Sequence, residues 1–515
     1  MNGPVPALTE RAAACAERLL EADSVLLVSH IDADGLTSAA VAASALSRAD
    51  MAFEAAFEKQ LDDTAIAGIA ATDYSTVLFT DFGSGQLEAI AEHEQRGEFT
   101  PIVCDHHQPA EADTTYHLNP LLFGLNGASE LSGAGTAYVL ARALAEIERD
   151  ERRANEAGDA SDTSNPSDGA RTETAADGGS VGTSTDAGAG GTGTANRDLA
   201  GLAVVGAVGD MQSGPDGLRG ANEGIVAEGV ECGALAETTD LTLYGKQTRP
   251  LPKLLEYASD VRIPGISGSE RGCYQFLTDL DLDLEREGEW RRWVDLAEDE
   301  RRTLASALLK RAVSRGVRAS RIEELIGTTY TLPEEPSGTE LRDASEFSTL
   351  LNATARYERA DVGLAVCLGD REGALDRARK LLANHRRNLS EGIEWVTNTG
   401  VRTEDHLQWF HAEGEIRDTI VGIVAGMALG NDGIDRDQPI IAFANESEEE
   451  TKVSARGTPA LVRQGLDLSA VMEEAAAAVG GGGGGHDIAA GATVPRGKEK
   501  AFVSRAGAIV GEQLS

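Results

Sequence analysis

Four short apolar runs in this chain each end in aspartate or histidine. They read SVLLVSHIDAD from residue 24, STVLFTD from residue 75, PIVCDHH from residue 101 and LAVVGAVGD from residue 202. Continuous apolar runs of this length, with helical stretches between them, are typical of parallel strands that are buried on both faces. The carboxyl ends of such strands share one edge of the sheet, where ligands bind in open α/β folds. The runs therefore predict an α/β protein whose polar side chains gather at one edge.

The side chains at these predicted strand ends form a mixed set of carboxylates and imidazoles. They are His30, Asp32, Asp34, Asp81, Asp105, His106, His107 and Asp210. Such a set without thiolates suits Mn²⁺, with Mg²⁺ or Zn²⁺ as less suitable alternatives. So many carboxylates repel one another unless cations neutralise them, and two divalent ions about 3.5–4 Å apart would do so. Each motif alone is more often a turn or a helix N-cap, but the four together predict a two-metal hydrolytic site.

The chain is strongly acidic, with 46 Lys and Arg residues against 85 Asp and Glu residues and a formal net charge of −39. The acidic residues are spread along the sequence instead of forming a tail, which indicates a halophilic protein. A field of this sign opposes nucleic-acid binding unless metals or local basic patches override it. One such patch, a candidate contact for a single-strand backbone, consists of Arg377, Arg379, Lys380, Arg386 and Arg387.

The cysteine pattern and the hydropathy predict a cytoplasmic protein with no membrane association. The five cysteines include no CxxC pair, so neither a zinc ribbon nor a disulfide framework is expected. The first twenty residues lack the apolar core of a signal peptide, and no run reaches the roughly 18 apolar residues of a membrane span.

Composition also divides the chain into segments. Residues 151–197 contain almost no large apolar side chain, which predicts a disordered insertion. We expect a catalytic domain at residues 1–150 and 198–235, on either side of this insertion. A helical module at 236–339, connector helices at 340–399 and a smaller α/β domain at 400–515 should follow.

The motifs resemble those of the DHH phosphoesterase superfamily and, within it, the archaeal RecJ-like exonucleases. The matching stretches are HIDADG at 30–35, FTDFG around Asp81, DHH at 105–107, LSGAG at 131–135 and the acid Asp210. VSARG at 453–457 and the glycine run that ends at His486 resemble the second domain of that family, DHHA1.

The resemblance implies a role for each matching residue. The first ion would be held by His30, Asp32 and Asp81, and the second by Asp34, Asp81, His106 and Asp210. His107 would contact the scissile phosphate, and Asp105 would orient the imidazoles. The substrate-holding residues would be Arg456, Gly483, Gly484, Gly485 and His486, because backbone amides without side chains approach a phosphate closely.

The resemblance further implies a 5′→3′ exonuclease of DNA replication and repair that acts on single-stranded DNA in preference to RNA. Two divalent ions, Mn²⁺ in preference to Mg²⁺, would be its cofactors, and the GINS complex of the replicative helicase would be a partner. Three alternatives stay open at this stage: a 3′→5′ RNA exonuclease, a phosphodiesterase of oligoribonucleotides or cyclic dinucleotides, and a replisome scaffold without activity.

Overall fold

Three of the four apolar runs form neighbouring strands of one parallel sheet. The computed structural model describes residues 3–162, 195–258, 261–431 and 433–514. The sheet has the order β2-β1-β3-β4-β5, and every neighbouring pair is parallel. Its strands are β1 (Ser24–His30), β2 (Ala52–Glu58), β3 (Thr76–Thr80), β4 (Thr100–Cys104) and β5 (His117–Leu118). The interior residues of β1, β3 and β4 are all buried, which explains their uninterrupted apolar sequence.

Helices that precede, separate and follow these strands complete the predicted α/β domain. They are α1 (Thr9–Leu20), α2 (Ala33–Arg48), α3 (Asp63–Ala70), α4 (Leu87–Gln95), α5 (Gly133–Asp162), α6 (Ala200–Gly209) and α7 (Ala221–Cys232). Helix α2 packs against both α5 and α6. The fold class predicted from the sequence is confirmed.

The fourth apolar run is helix α6, so the prediction of a strand before Asp210 was wrong. Short apolar runs suit a buried helix as well as a buried strand, and this run is rich in alanine and glycine. The small residues permit close packing, since a Cβ at Gly206 would lie 2.4 Å from Oδ1 of Asp34. Asp210 still follows the run directly, because it caps the C-terminal end of α6.

Helix α5 extends into the segment for which we predicted disorder. Residues 151–162 continue this helix instead of beginning an insertion. At the other end, the side-chain amide of Asn196 donates to the carbonyl of Ala141 at 2.8 Å. Asp198 pairs with Arg48 at 2.6 Å. The remainder of the predicted insertion, residues 163–194, lies outside the described residues.

The next segment has the predicted helices together with short strands. Its elements are β6 (Ala236–Leu241), α8 (Leu251–Glu256), α9 (Glu270–Thr278), β7 (Glu285–Arg286), β8 (Glu289–Trp290), α10 (Glu298–Ser314), α11 (Ala319–Glu323) and β9 (Ile326–Thr331). Strands β6 and β9 pair as an antiparallel ribbon that brackets the helices. The helices surround an apolar cluster of their own, which includes the buried indole of Trp293.

Three helices occupy the region predicted as a connector. They are α12 (Ala344–Arg356), α13 (Ala360–Cys367) and α14 (Gly373–Thr399). Helices α12 and α13 pack against α2. The side chain of Asn352 on α12 accepts a hydrogen bond from the backbone of Ala33 at 3.1 Å. The first two connector helices therefore support the loop that carries the first sequence motif.

The chain divides into two compact units, Met1–Leu375 and Asp376–Ser515. The elements of the second unit that follow α14 are β10 (Arg402–Thr403), β11 (Gln408–His411), α15 (Asp418–Ala428), β12 (Ile440–Asn445), β13 (Glu450–Arg456), α16 (Pro459–Val462), α17 (Leu468–Ala477), β14 (Gly482–Gly485), β15 (Ala489–Pro495) and α18 (Glu499–Gln513).

The sheet of the second unit is mixed, with the order β10-β11-β12-β13-β15-β14. Only the β11–β12 pair is parallel. One apolar cluster on this sheet includes α17 and α18, and a second includes α15. Among the described residues of the whole chain, no helix is long and apolar enough to cross a bilayer.

Candidate metal centre

The parallel sheet brings the predicted ligands together at its carboxyl edge. His30 ends β1, Asp81 follows β3, and His106 lies just beyond β4. Nδ1 of His30 is 3.1 Å from Oδ2 of Asp32 and 3.7 Å from Oδ2 of Asp81. Nε2 of His106 is 3.2 Å from Oδ1 of Asp81. Asp81 therefore lies between the other two motifs, with one carboxylate oxygen near each imidazole.

A second group of ligands forms on the other side of His106. Nε2 of His106 is 3.7 Å from Oδ2 of Asp34, and its Nδ1 is 3.8 Å from Oδ2 of Asp210. Within this group, and within the group of His30, Asp32 and Asp81, the potential ligand atoms lie within 4.8 Å of one another. Each of these two groups is compact enough to hold one ion.

The N-terminus of helix α5 holds the carboxylate of Asp34. Backbone N–H groups of Gly133 and Ala134 donate to its two oxygens at 2.7 and 3.0 Å. Free N–H groups and the positive end of the helix dipole both favour a negative charge there. A Cβ at Gly133 would lie 2.3 Å from Oδ1 of Asp81. The LSGAG stretch therefore supplies amides at a point where a side chain would not fit.

Asp32 has the ordinary role that a single DxD motif suggests, and it also faces the ligand cluster. It caps helix α2, because its Oδ1 accepts a hydrogen bond from the backbone N–H of Gly35 at 3.0 Å. The other oxygen, Oδ2, is the one that lies near His30. The cap thus fixes the orientation in which the second oxygen reaches the cluster.

Asp105 is buried and is surrounded by donors. Its carboxylate accepts hydrogen bonds from the backbone N–H groups of Ser84 (2.9 Å) and His106 (2.7 Å) and from Nδ1 of His107 (2.8 Å). These contacts leave Nε2 of His107 as the ring nitrogen that faces away from Asp105, and the His107 side chain is 56% exposed. The geometry fits an orienting carboxylate next to an accessible imidazole.

A groove of about 490 Å³ opens beside this cluster. His30, Asp81 and His107 form part of its lining, and so do the side chains of Phe82 and Gln86. A substrate can therefore reach the accessible imidazole and the shared aspartate from the same side.

Opposing charges shift the pKa values of the cluster strongly. Burial alone lowers the pKa of His30, but hydrogen bonds and charges from Asp32 and Asp81 outweigh it and raise that pKa to about 10. Burial likewise opposes protonation of His106, whose contact with Asp81 raises its pKa to about 11. Burial and the charge of Asp81 raise the pKa of Asp34 well above its usual range. The cluster thus favours added positive charge.

A divalent cation fits this environment. Oδ1 of Asp81 is buried without a hydrogen-bond partner, although it lies at ion-pair distance from His106. An unsatisfied buried carboxylate oxygen is costly, and a cation would satisfy it. Asp81 also has a left-handed backbone with φ 63°, a strained conformation of the kind that clusters at functional sites. Carboxylate and imidazole donors suit Mn²⁺ and, less well, Mg²⁺.

In the second unit, the glycine run forms an ordered edge strand. Strand β14 (Gly482–Gly485) pairs with β15, and β15 pairs on its other side with β13, whose last residue is Arg456. His486 follows the strand directly and closes the turn to β15 through a backbone hydrogen bond to Ala489 at 2.9 Å. Arg456 lies across β15 from this turn, since it is opposite Ala489. The sheet thus brings together the substrate-holding residues predicted from the sequence.

The predicted basic cluster lies on helix α14. All five of its side chains are exposed: Arg377, Arg379, Lys380, Arg386 and Arg387. Two of them have acidic neighbours within the helix, since Arg379 is 3.8 Å from Asp376 and Arg387 is 4.0 Å from Glu391. Ion pairs at this exposure are weak, so they do not prevent these side chains from also contacting a phosphate backbone.

Sequence reasoning missed several residues that support the ligands. Asn352 contacts the first motif loop, and Gln212 donates to Asp210 at 2.8 Å. The carbonyl of Gly127 accepts a hydrogen bond from Nδ1 of His106 at 2.8 Å. Amide side chains and a loop glycine have no distinctive spacing in a sequence, so no pattern could have identified them.

Three family models match the chain in the order that the fold suggests. The model of the DHH family, N-terminal domain, matches residues 24–160. The DHH-CID domain matches residues 243–326, the helical module between β6 and β9. The DHHA1 domain matches residues 407–512, which include the glycine strand.

Known proteins share this architecture at low sequence identity. An uncharacterized protein of Methanocaldococcus jannaschii is 28% identical over 498 residues, which cover 95% of this chain and 94% of the relative. RecJ of Thermus thermophilus in complex with Mn²⁺ is 17% identical with a TM-score of 0.56. The match covers 99% of this chain but only 55% of that RecJ chain. CDC45 of Entamoeba histolytica is 10% identical with a TM-score of 0.59, over 98% of this chain and 99% of its own.

These matches agree with the ligand cluster at the sheet edge and with the order of the domains along the chain. The two structural matches show a shared fold, and the three family models identify the domains. The chain carries a DHH, a DHH-CID and a DHHA1 domain on a RecJ-like fold, and this combination identifies it as a metal-dependent phosphodiester hydrolase.

Proposed function

We propose that this protein is a two-metal exonuclease that degrades single-stranded nucleic acid from a 5′ end, DNA in preference to RNA. The observation that carries the proposal is a pair of candidate ligand groups, one of which includes Asp81, in each of which the ligand atoms lie within 4.8 Å of one another. Exonuclease RecJ bound to manganese shares the fold at 17% identity and a TM-score of 0.54. The preferred ion is Mn²⁺, with Mg²⁺ as the alternative.

Two sets of ligands would hold the ions. His30, Asp32 and Asp81 form the first set. Asp34, His106 and Asp210 form the second, with Asp81 as the ligand common to both because one of its oxygens lies near each imidazole. When bound, a pair of divalent ions supplies positive charge to the phosphoryl oxygens and lowers the pKa of water.

The remaining residues of the site would position the phosphodiester. The hydrogen bond to Asp105 keeps the Nδ1 proton of His107 in place and raises the pKa of this imidazole. Its other nitrogen is then presented to the groove, where we assign it the contact with the scissile phosphate. Asp105 acts through His107 and through the backbone of His106, whose direction it sets.

The second unit would hold the strand. The open face of the glycine strand would bind phosphates through backbone N–H groups, aided by Arg456 and His486. The basic cluster on α14 would add further contacts to the backbone of a longer single strand. This assignment favours a polymer over a dinucleotide, since a small substrate needs few of these contacts.

The similarity to CDC45 favours a second candidate function, that of a replisome subunit bound to GINS. The two functions are compatible. Every motif position carries an Asp or His that could bind a metal, which argues against a scaffold without activity. We therefore propose a GINS association in addition to the nuclease activity, and not as a replacement for it. A pull-down of purified GINS subunits with the full chain at high salt tests the association separately.

A direct assay of the proposed function uses 20-mers of single-stranded DNA and RNA, labelled at either end, with Mn²⁺ at salt concentrations up to the molar range. Ordinary nucleic-acid binding weakens steeply with salt because it depends on counterion release. A chain of net charge −39 gains little from that effect, so we expect activity to persist or rise toward molar salt. Shortening of the DNA from its 5′ end supports the proposal. Cleavage of dinucleotides alone, at every salt concentration, would replace it with the small-nucleotide phosphodiesterase.

A further inference from the structure

A buried glutamine stands beside two of the candidate metal ligands. Gln212 is only 6% exposed, in the loop that follows α6. Its side-chain Nε2 donates to Oδ2 of Asp210 and to the carbonyl of Gly127, both at 2.8 Å. That carbonyl also accepts the hydrogen bond from Nδ1 of His106. One amide group thus contacts a ligand directly and a second ligand through a shared carbonyl.

The orientation of this amide is fixed by its neighbours. A backbone carbonyl can only accept, so the NH₂ group of Gln212 must be the end that faces Gly127. At the other end, Nδ2 of Asn222 donates to Oε1 of Gln212 at 2.8 Å. Asn222 is itself 2% exposed, and its backbone N–H donates to the carbonyl of Glu130 at 2.8 Å. Neither amide can turn over without leaving two acceptors face to face.

The same contacts determine which atoms of the ligands face the ion. Because the Gly127 carbonyl takes the Nδ1 proton of His106, the neutral form of that imidazole has its lone pair on Nε2, toward Asp34 and Asp81. The hydrogen bond from Gln212 to Oδ2 holds the Asp210 carboxylate in one direction, and it leaves Oδ1 and a second lone pair of Oδ2 for an ion. The loop can lie this close only because residue 127 is glycine. A Cβ at this position would be 1.9 Å from the carbonyl oxygen of His106.

We propose that Gln212 is a positioning residue for the ion held by Asp34, His106 and Asp210, and that Asn222 sets the direction of its amide. The proposal rests on the proposed function, because it assumes that this second group binds its own ion. Residues that hydrogen-bond to metal ligands change metal affinity or activity by roughly 10- to 100-fold when they are removed. Within the described residues, Gln212 makes no hydrogen bond to His30, Asp32 or Asp81, the residues that would hold the other ion.

The test is a Mn²⁺ titration of the full-length chain without substrate, by calorimetry and by the electron paramagnetic resonance signal of free Mn²⁺. In Gln212→Met we expect one binding event to weaken roughly 10- to 100-fold and the other to change less than about threefold. Asn222→Leu should weaken the same event by a smaller factor. The double variant should bind no more weakly than Gln212→Met alone, because both residues act through one amide.

The matched control is Gln247→Met, which removes a buried amide of the same unit that contacts no ligand. Gln247 is 4% exposed and accepts a hydrogen bond from Gly338 at 3.0 Å. Thermal unfolding in chelator measures the stability lost in each variant. The proposal is overturned if Gln212→Met binds both ions as the wild type does, or if Gln247→Met weakens Mn²⁺ binding as much. A wild-type chain that binds a single ion would instead overturn the two-metal function itself.

Discussion

The two sheets of this protein present opposite kinds of surface at the edges where function is expected. At the edge of the parallel sheet, Asp34 and Asp81 are buried at 3% and 2% exposure, within a cluster of charged side chains. At the edge of the second sheet, a strand of four glycines offers backbone and open space. A Cβ at Gly482 or Gly484 would have no heavy atom within 4 Å.

The difference predicts how each edge responds to substitution. In the first sheet, the proposed function depends on ligand oxygens, so removing one of them should be the damaging change. In the second, the proposed function depends on an open backbone without side chains, so adding a methyl group should be the damaging change. Substitutions that separate these two behaviours therefore test the division of labour between the units.

The largest effect should follow Asp81→Asn, which removes the shared ligand. We expect hydrolysis to fall to background, since both ligand groups lose a charged oxygen. The fold should persist, because the relief of repulsion between Asp81 and Asp34 offsets the loss of the contacts with His30 and His106. Exposed Asp73→Asn is the control and should keep full activity. Residual turnover by a carefully purified Asp81→Asn protein would remove the two-metal account.

A smaller and selective effect should follow Arg456→Ala or His486→Ala. Hydrogen bonds to charged groups contribute about 1.5–3 kcal/mol, so binding of a 20-mer should weaken roughly 10- to 100-fold. Hydrolysis of a minimal phosphodiester should change little, because the metal ligands stay intact. Arg505→Ala, an exposed arginine paired with Glu474, serves as the control. Equal losses on both substrates would contradict the assignment of substrate holding to the second sheet.

The glycine strand allows a still finer comparison between neighbouring positions. Gly484→Ala adds a methyl group to the open face, so it should weaken binding of a long strand several-fold while the unfolding free energy changes by less than about 0.5 kcal/mol. Gly483→Ala places its Cβ 2.7 Å from the carbonyl of Met472, so it should instead destabilise the unit, by about 1–3 kcal/mol. Chemical denaturation and a 20-mer binding assay measure the two effects. The reverse pattern would show that phosphates bind the face of the strand on which Gly483 lies.

The smallest effect should come from deleting residues 163–194. Val181 is the only large apolar residue in that segment, so composition gives it little to bury. The flanking residues have contacts of their own, at Asn196 and at the Arg48–Asp198 pair. A short Gly/Ser replacement should leave specific activity and the unfolding free energy within experimental error. A loss of several kcal/mol would show that the segment contributes to a core.

Sequence patterns predicted which residues meet at the edge of the parallel sheet, because most of these residues follow buried strands. The runs before His30, Asp81 and Asp105 are short and continuously apolar, and all three form buried strands of the parallel sheet. The run before Asp210 has the same hydropathy but forms a helix, because small residues pack equally well between α2 and α5. Asp210 lies beside the other predicted ligands, although the element that carries it is a helix and not the predicted strand.

The supporting contacts could not be predicted in this way. Gln212 and Asn222 act through the direction of a single amide, which depends on where two distant loops meet. Asn352 reaches the first motif from a helix more than 300 residues later. Such contacts depend on tertiary packing, and local sequence periodicity carries no information about it.

The central claim, that one aspartate links two ions at the edge of the parallel sheet, is tested most directly by the electron paramagnetic resonance spectrum of bound Mn²⁺. Two ions about 3.5–4 Å apart interact magnetically, whereas isolated ions do not. The account predicts two Mn²⁺ per wild-type chain with a coupled spectrum, and loss of that coupling in Asp81→Asn. A single uncoupled Mn²⁺ per chain, unchanged by Asp81→Asn, would contradict it.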